Sequence, residues 1–305
     1  MTIHLFANIV TDFGTAANNR GETEGNTTTL QKLIWHGQIH TTVSAEAIRF
    51  ATRQQLATFE KGETNRHWNE EARMHEWKDA TFAGFADKKA KAKTYIDDDL
   101  LGYMRADAAK EEGTAGSASV RRAVLEVTRA VSLTPWAGDT TFNAASPGAT
   151  PSAAKKGASN PVPYGAEIHA TRYQFGIAMT PDRLRVKDRA ISALRAITSL
   201  RDVAGNHGRF LFDFSPSSIV IRITEDPAPR LLYCFDTTDA GKSVDAPELL
   251  RRVLCGDIEA SELIVGGSLA ETETGKQLQT AGAEVHAGIK AATESAANHL
   301  SGAMA

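Results

Sequence analysis

Cysteine is almost absent from this chain: Cys234 and Cys255 are its only two among 305 residues. So small a number excludes a disulfide framework and a cysteine-built zinc site, and leads us to expect reduced, buried thiols in a cytoplasmic protein. No apolar run reaches about 18 residues, so there is no candidate transmembrane helix and no membrane partner is expected. Met1-Thr2-Ile3-His4 lacks the basic start and apolar stretch of a signal peptide. An overall positive charge is also lacking, since the net charge is −3. A phosphate-binding loop is missing as well. Gly241-Lys242-Ser243 imitates its end, but Asp236 stands where the first glycine belongs, and Val244-Asp245-Ala246-Pro247 replaces the apolar helix that should follow. No nucleophile-elbow sequence accompanies any serine. Neither a metal nor a cofactor is expected.

The chain has the composition of a soluble globular protein, 42% hydrophobic and 23% charged, and is long enough for a sizeable core. Its charge is unevenly spread. Val120 to Phe210 holds 13 Lys and Arg against 6 Asp and Glu, whereas Leu211 to Ala305 holds 7 against 14. A basic middle and an acidic end fit a nucleic-acid face opposite an outward face. They fit equally a head-to-tail assembly in which one copy's basic surface meets the next copy's acidic one.

Ile3 to Val10 is apolar with partial alternation and reads as a buried strand. Asn19-Arg20-Gly21 and Gly25-Asn26 supply turn chemistry, and Thr27 to Thr29 supply hydroxyls. Ser44 is placed to cap a helix over 45–59, on which Arg49 and Arg53, four apart, project from one side. From His67 to Arg105 the chain is charge-dense, with Trp68, Trp77 and a lysine run over 88–93, and reads as a helical insertion. Residues 137–163 carry mostly small and polar side chains and are expected to be a mobile loop that orders on binding. Residues 166–179 read as a strand and 188–203 as an amphipathic helix. Segments 210–214, 219–224 and 231–235 read as three further strands, 245–254 as a short helix, and the alanine-rich end as a helical tail with frayed packing. Interleaved strands and helices predict an α+β fold.

Several of these strings recur together in one known family. The segment from Asn18 to Arg53 is joined by Tyr95-Ile96-Asp97-Asp98-Asp99-Leu100-Leu101-Gly102-Tyr103-Met104 and by Arg129-Ala130-Val131-Ser132-Leu133 with Gly138-Asp139-Thr140. Residues 160–174, from Asn160-Pro161-Val162-Pro163-Tyr164 to Thr171-Arg172-Tyr173-Gln174, continue the series, and 207–216 and 231–235 close it. In this order, over roughly residues 3–265, the chain resembles the DevR-type backbone subunit of type I CRISPR Cascade, the seventh Cas protein family, with subtype I-B the nearest.

The resemblance implies a non-catalytic subunit that binds guide RNA (crRNA) and polymerises along it as copies of itself in a head-to-tail filament. It would join other Cascade subunits and meet target DNA through the guide, in antiviral defence or guided transposition. It also implies an RRM-like (ferredoxin-like) palm over 1–60, 120–136 and 164–270, a helical finger insertion over 61–119, a thumb loop over 137–163 and a C-terminal helical tail over 271–305.

Candidate RNA contacts follow from basic, planar and hydroxyl residues near the palm. Arg20, Arg49 and Arg53 can grip phosphates through paired charge-assisted bonds, with Asn19, Thr28 and Ser44 adding polar contacts. Trp136 can stack on a base or cap the core. Lys155 and Lys156 at the loop tip can touch RNA or keep the loop soluble. His169 and Arg172 can reach the guide backbone, although a lone strand histidine is more often structural. Asp97-Asp98-Asp99 invites a metal-dependent RNA-processing nuclease as an alternative. Adjacent residues do not share a face, however, and a turn or capping role is favoured. A transcriptional autoregulator is a third reading, with no helix-turn-helix pattern behind it.

Overall fold

A computed structural model describes residues 2–17, 22–86, 92–107, 117–144, 163–204 and 212–304. Its principal elements, in chain order, begin with β1 (His4–Thr11), β2 (Lys32–Trp35), β3 (Gln38–Val43) and α1 (Ala45–Phe59). An insertion follows: β4 (Arg66–Asn69), β5 (Met74–Trp77), α2 (Ile96–Leu101), β6 (Tyr103–Asp107) and β7 (Ser117–Arg121). Then come β8 (Ala130–Ser132), β9 (Thr140–Ala144), β10 (Pro163–Glu167), β11 (Tyr173–Met179) and α3 (Arg189–Ile197). The chain ends with β12 (Pro216–Thr224), α4 (Pro247–Leu254), β13 (Leu263–Gly267), α5 (Glu273–Thr280), β14 (Glu284–His286) and α6 (Ile289–Met304).

One nine-stranded sheet organises the fold, in the order β14-β13-β12-β1-β11-β8-β3-β2, with the short strand Glu126–Val127 also pairing with β11. Its pairs are antiparallel except β13 with β14. The central strand β1 shows why both faces are covered. Leu5, Ala7 and Ile9 point into one core with Ile48, Leu56, Leu194 and Leu300. Phe6 and Val10 point into a second core with Leu249, Leu263 and Leu278. Period-two alternation thus feeds two apolar layers instead of one wet and one dry face.

The strand at the start and the helix over 45–59 stand where the sequence places them. Elsewhere the structure corrects the reading. The insertion holds two hairpins, β4–β5 and β6–β7, in addition to short helices. Arg66-His67-Trp68-Asn69 and Met74-His75-Glu76-Trp77 hold aromatic and histidine side chains that suit a pleated ribbon more than a helix. The supposed mobile loop has ordered ends, because β9 pairs with β10; residues 145–162, Lys155 and Lys156 among them, lie outside the described residues. Residues 231–235 are not a strand. Arg230 and Tyr233 take positive φ, and the segment is pinned to the sheet by side chains: Tyr233 N–H donates to Asn8 Oδ1 at 3.0 Å and Phe235 N–H to Gln174 Oε1 at 3.2 Å. Residues 212–214 are not a strand either, and the helix over 188–203 is shorter than expected.

The C-terminal segment is no frayed tail. β14 extends the sheet, and Ala292, Ala296 and Leu300 of α6 are fully buried in the first core. Close approach explains the alanines: a Cβ on Gly266 would stand 2.5 Å from the Ala292 methyl. Of the two cysteines, Cys234 is buried and its thiol pushed up to about 12 by that burial, while Cys255 is exposed.

Candidate nucleic-acid interface

Ser44 begins α1 as its N-cap, its hydroxyl accepting from the Ala47 N–H at 3.3 Å. Arg49 and Arg53 do share a side of the helix, and that side faces inward, onto helix α2 and the Asp97-Asp98-Asp99 run in its first turn. Arg49 donates to the Leu101 carbonyl that ends α2. The Arg53 Nε lies 3.4 Å from Asp97 Oδ2, an ion pair without hydrogen-bond geometry. Burial lowers the Arg53 pKa, and Asp97 opposes that shift.

The three aspartates diverge. Asp97 accepts the Asn65 N–H at 2.7 Å and the Arg66 N–H at 3.1 Å. Asp98 accepts the Asn65 side-chain amide at 2.7 Å. Asp99 accepts the Arg185 N–H at 3.0 Å, the Val186 N–H at 3.3 Å and the Arg189 guanidinium at 2.8 Å, with Arg121 as a further ionic partner. One turn therefore ties the β4–β5 hairpin, the segment before α3 and β7 to one another. Burial, then the Asp97 charge, raises Asp98 to about 7, against the pull of Asn65 and Arg53. Among the described residues no group of three or more His, Cys, Asp or Glu is placed to hold a metal.

A second cluster lies under the strand ends near residue 170. Thr41 Oγ1 sits 2.7 Å from both His169 Nδ1 and Tyr173 Oη, and His169 Nε2 is 3.3 Å from Thr134 Oγ1. Burial pushes His169 down to about 4, so its ring is neutral near pH 7. Arg172 spreads its guanidinium over the Thr11, Gly241 and Lys242 carbonyls, Ser217 and Asp12, at 3.0–3.2 Å. Trp136 donates its indole N–H to the Ile168 carbonyl at 2.9 Å, and the Lys32 ammonium lies 4.1 Å from its ring centroid. Thr28 donates to the Gly165 carbonyl at 3.2 Å. His169, Arg172 and Trp136 therefore lie together, apart from the Arg49–Arg53 pair. Asn19 and Arg20 lie outside the described residues.

The resolved candidates thus have internal partners, and the outward-facing chemistry lies elsewhere. In β4–β5 the register pairs Arg66 with Trp77 and Trp68 with His75, placing all four on one face. Beside β6 and β7 an open cavity of about 350 Å³ is lined by Phe85, Tyr103, Arg121, Arg122 and Arg183 among others. The alternation of aromatic and basic side chains over 66–77 was the signal in the sequence, hidden by the expectation of a helix.

The family model described as CRISPR-associated negative auto-regulator DevR/Csa2 matches residues 12–239. The chain belongs to the DevR/Csa2 family. A Myxococcus xanthus (strain DK1622) protein described as CRISPR-associated protein Cas7/Cst2/DevR is 58% identical over 301 residues, 98% of each chain. Two solved structures share the fold. One chain from a CRISPR RNA-guided surveillance complex superposes with a TM-score of 0.59 at 14% identity, covering 98% of this chain and 99% of that one. Another, from such a complex in a pre-nicking state, gives 0.61 at 12% identity, covering 98% and 100%. In this DevR chain every candidate contact lies within the matched 12–239, whereas α4, α5, α6, β13 and β14 follow it.

Proposed function

We propose that this chain is a guide-RNA-binding backbone subunit of a type I CRISPR surveillance complex, with several copies lining one guide. The observation that carries the reading is the whole-chain identity to a Cas7/Cst2/DevR protein, with fold agreement to surveillance-complex chains supporting it. The large sheet serves as an RRM-like palm, and residues 137–163 serve as the thumb. Binding is largely sequence-independent, through phosphates and 2′-hydroxyls, so that base edges remain available for target pairing. The chain performs no chemistry in this reading. Asp97, Asp98 and Asp99 hold the insertion in place, the first two occupied by donors of Asn65 and Arg66 and the third by donors of residues 185–189.

Tagged co-expression with a CRISPR array tests the proposal. Purification should yield an oligomeric, nucleic-acid-rich product whose sequenced RNA is of guide length and array origin. An RNA-free monomer at low salt, even with the remaining complex subunits co-expressed, overturns it. The family's description as a negative auto-regulator favours a second reading, an autoregulator. That reading requires preferential binding of one duplex DNA sequence. Magnesium-dependent RNA cleavage lost on Asp98→Ala would instead establish a nuclease.

A further inference from the structure

The β4–β5 hairpin is too small to display large aromatic side chains without support, since an isolated two-stranded ribbon is marginal in water. Here its base is fixed. Asn65 and Arg66 N–H groups are held by Asp97, the Asn65 side chain by Asp98, and the Lys78 N–H closes on the Asn65 carbonyl at 3.0 Å. What this clamp holds up is one face bearing Arg66, Trp68, His75 and Trp77. Trp68 is 47% exposed and Trp77 39%. The register makes them diagonal neighbours, a spacing of ~7–8 Å along such a ribbon.

The face extends onto α1. The His75 ring lies between Phe50, 5.3 Å away, and Trp68, 5.2 Å away, each edge-on. Phe50 is itself 40% exposed. The Arg66 guanidinium stands 5.5 Å from the Trp77 ring centroid. Burial, then Arg66 and Arg53, lowers the His75 pKa, which keeps its imidazole neutral near pH 7. Glu76 points to the opposite face, where it accepts from Asn69 at 2.9 Å. Half-exposed indoles, a neutral imidazole and arginine, with the carboxylate turned away, match an unpaired nucleobase and its flanking phosphate.

We propose that Trp68 and Trp77, with Arg66 beside them, form a stacking platform for an unpaired base of a single nucleic-acid strand. The proposal rests on the RNA-binding reading above and assigns to it a surface contact away from the palm. Stacking tolerates any base, so the platform adds affinity without adding sequence preference.

The test uses the full-length chain and a fluorescein-labelled uridine oligonucleotide, read by anisotropy across a salt series. Trp68→Ala and Trp77→Ala should each weaken binding roughly 10-fold while leaving the slope of log affinity against log salt unchanged. Arg66→Ala should flatten that slope by ~0.7, the loss of one phosphate contact on a single strand. Wild-type tryptophan emission should be quenched on saturation, and Trp68→Phe/Trp77→Phe, a change that keeps ring packing, should abolish most of that quench. Wild-type affinity in both alanine variants together with an unchanged quench in the phenylalanine variant overturns the platform while leaving the backbone reading standing. Failure of the wild-type chain to bind the oligonucleotide at low salt, even with the remaining complex subunits present, overturns both. Alanine variants that bind RNA normally but no longer assemble with other copies identify a protein interface, and the platform falls.

Discussion

Asp98 and Asp99, both buried in one turn of α2, should respond in opposite ways to loss of their charge. Asp98→Asn keeps the shape and retains an oxygen for the Asn65 amide, which now stands 2.7 Å from Oδ2. Burial and the neighbouring Asp97 raise the Asp98 carboxyl from 3.8 to about 7. The folded state therefore holds a proton between those values that the unfolded state has lost, so this group's contribution to stability falls as pH rises through that window. The full shift corresponds to at most about 4 kcal/mol; solvent screening and relaxation around the charged form reduce the expected effect to about 2 kcal/mol. Asp98→Asn should match wild type near pH 4, gain progressively, and exceed it by about 2 kcal/mol at pH 8, measured by urea unfolding. Asp99→Ala should instead cost ~3–5 kcal/mol, because it leaves Arg121 and Arg189 uncompensated beside a buried turn. Parallel pH–stability curves for wild type and Asp98→Asn would refute the argument. So would a destabilised Asp98→Asn at pH 8, since that result requires a carboxylate whose charge the folded protein uses.

Other substitutions test the remaining internal roles. His169→Gln should flatten the acid side of the stability curve: a ring held down to about 4 leaves folding favoured above its unfolded value and weakened as pH falls from ~6.5 towards 4. A wild-type slope over that range in the variant would remove His169 as its source. Arg172→Ala should cost ~2–4 kcal/mol by releasing three carbonyls and two side chains, and Arg172→Lys should restore little of it, since an ammonium cannot span those acceptors. Normal stability with lost RNA binding would return Arg172 to the interface. Leu300→Ala should cost ~2–5 kcal/mol if α6 is core, and an unchanged urea midpoint would restore the reading of a loose tail.

The parts of the fold legible in the sequence are those in which one local pattern has one structural consequence. Ser44 followed by Ile48, Ala51 and Leu56 on one side can only cap and bury a helix, and that helix forms over the expected residues. The first strand is similarly unambiguous. The C-terminal third was harder. Alanine-rich α6 has little apolar bulk, and only the facing Gly266, invisible at a distance of some 26 positions, reveals why small residues suit a close-packed helix. Residues 231–235 carry the composition of a strand, yet the backbone bonds they would offer a neighbour are taken by the Asn8 and Gln174 side chains.

The candidate site shows the same division more sharply. Sequence spacing placed Arg49 and Arg53 on one helix side, which is a statement about direction along α1 and not about what that side faces. It faces an acidic turn some 45 residues away, and cations selected as phosphate ligands became the partners of Asp97 and the Leu101 carbonyl. An arginine's charge looks the same in sequence whether it serves a phosphate or a buried aspartate; only the position of the counter-charge separates the two. The hairpin reverses the situation. Trp68 and Trp77 lie nine apart, a separation that signals nothing under a helical reading, but the register of β4 against β5 sets them on one exposed face. The two observations are mechanically joined, because the carboxylates that draw Arg53 inward also hold the base of that hairpin. Losing the Asp97 clamp should therefore loosen the presentation of the tryptophans without touching them, so the buried turn and the outward face behave as one unit.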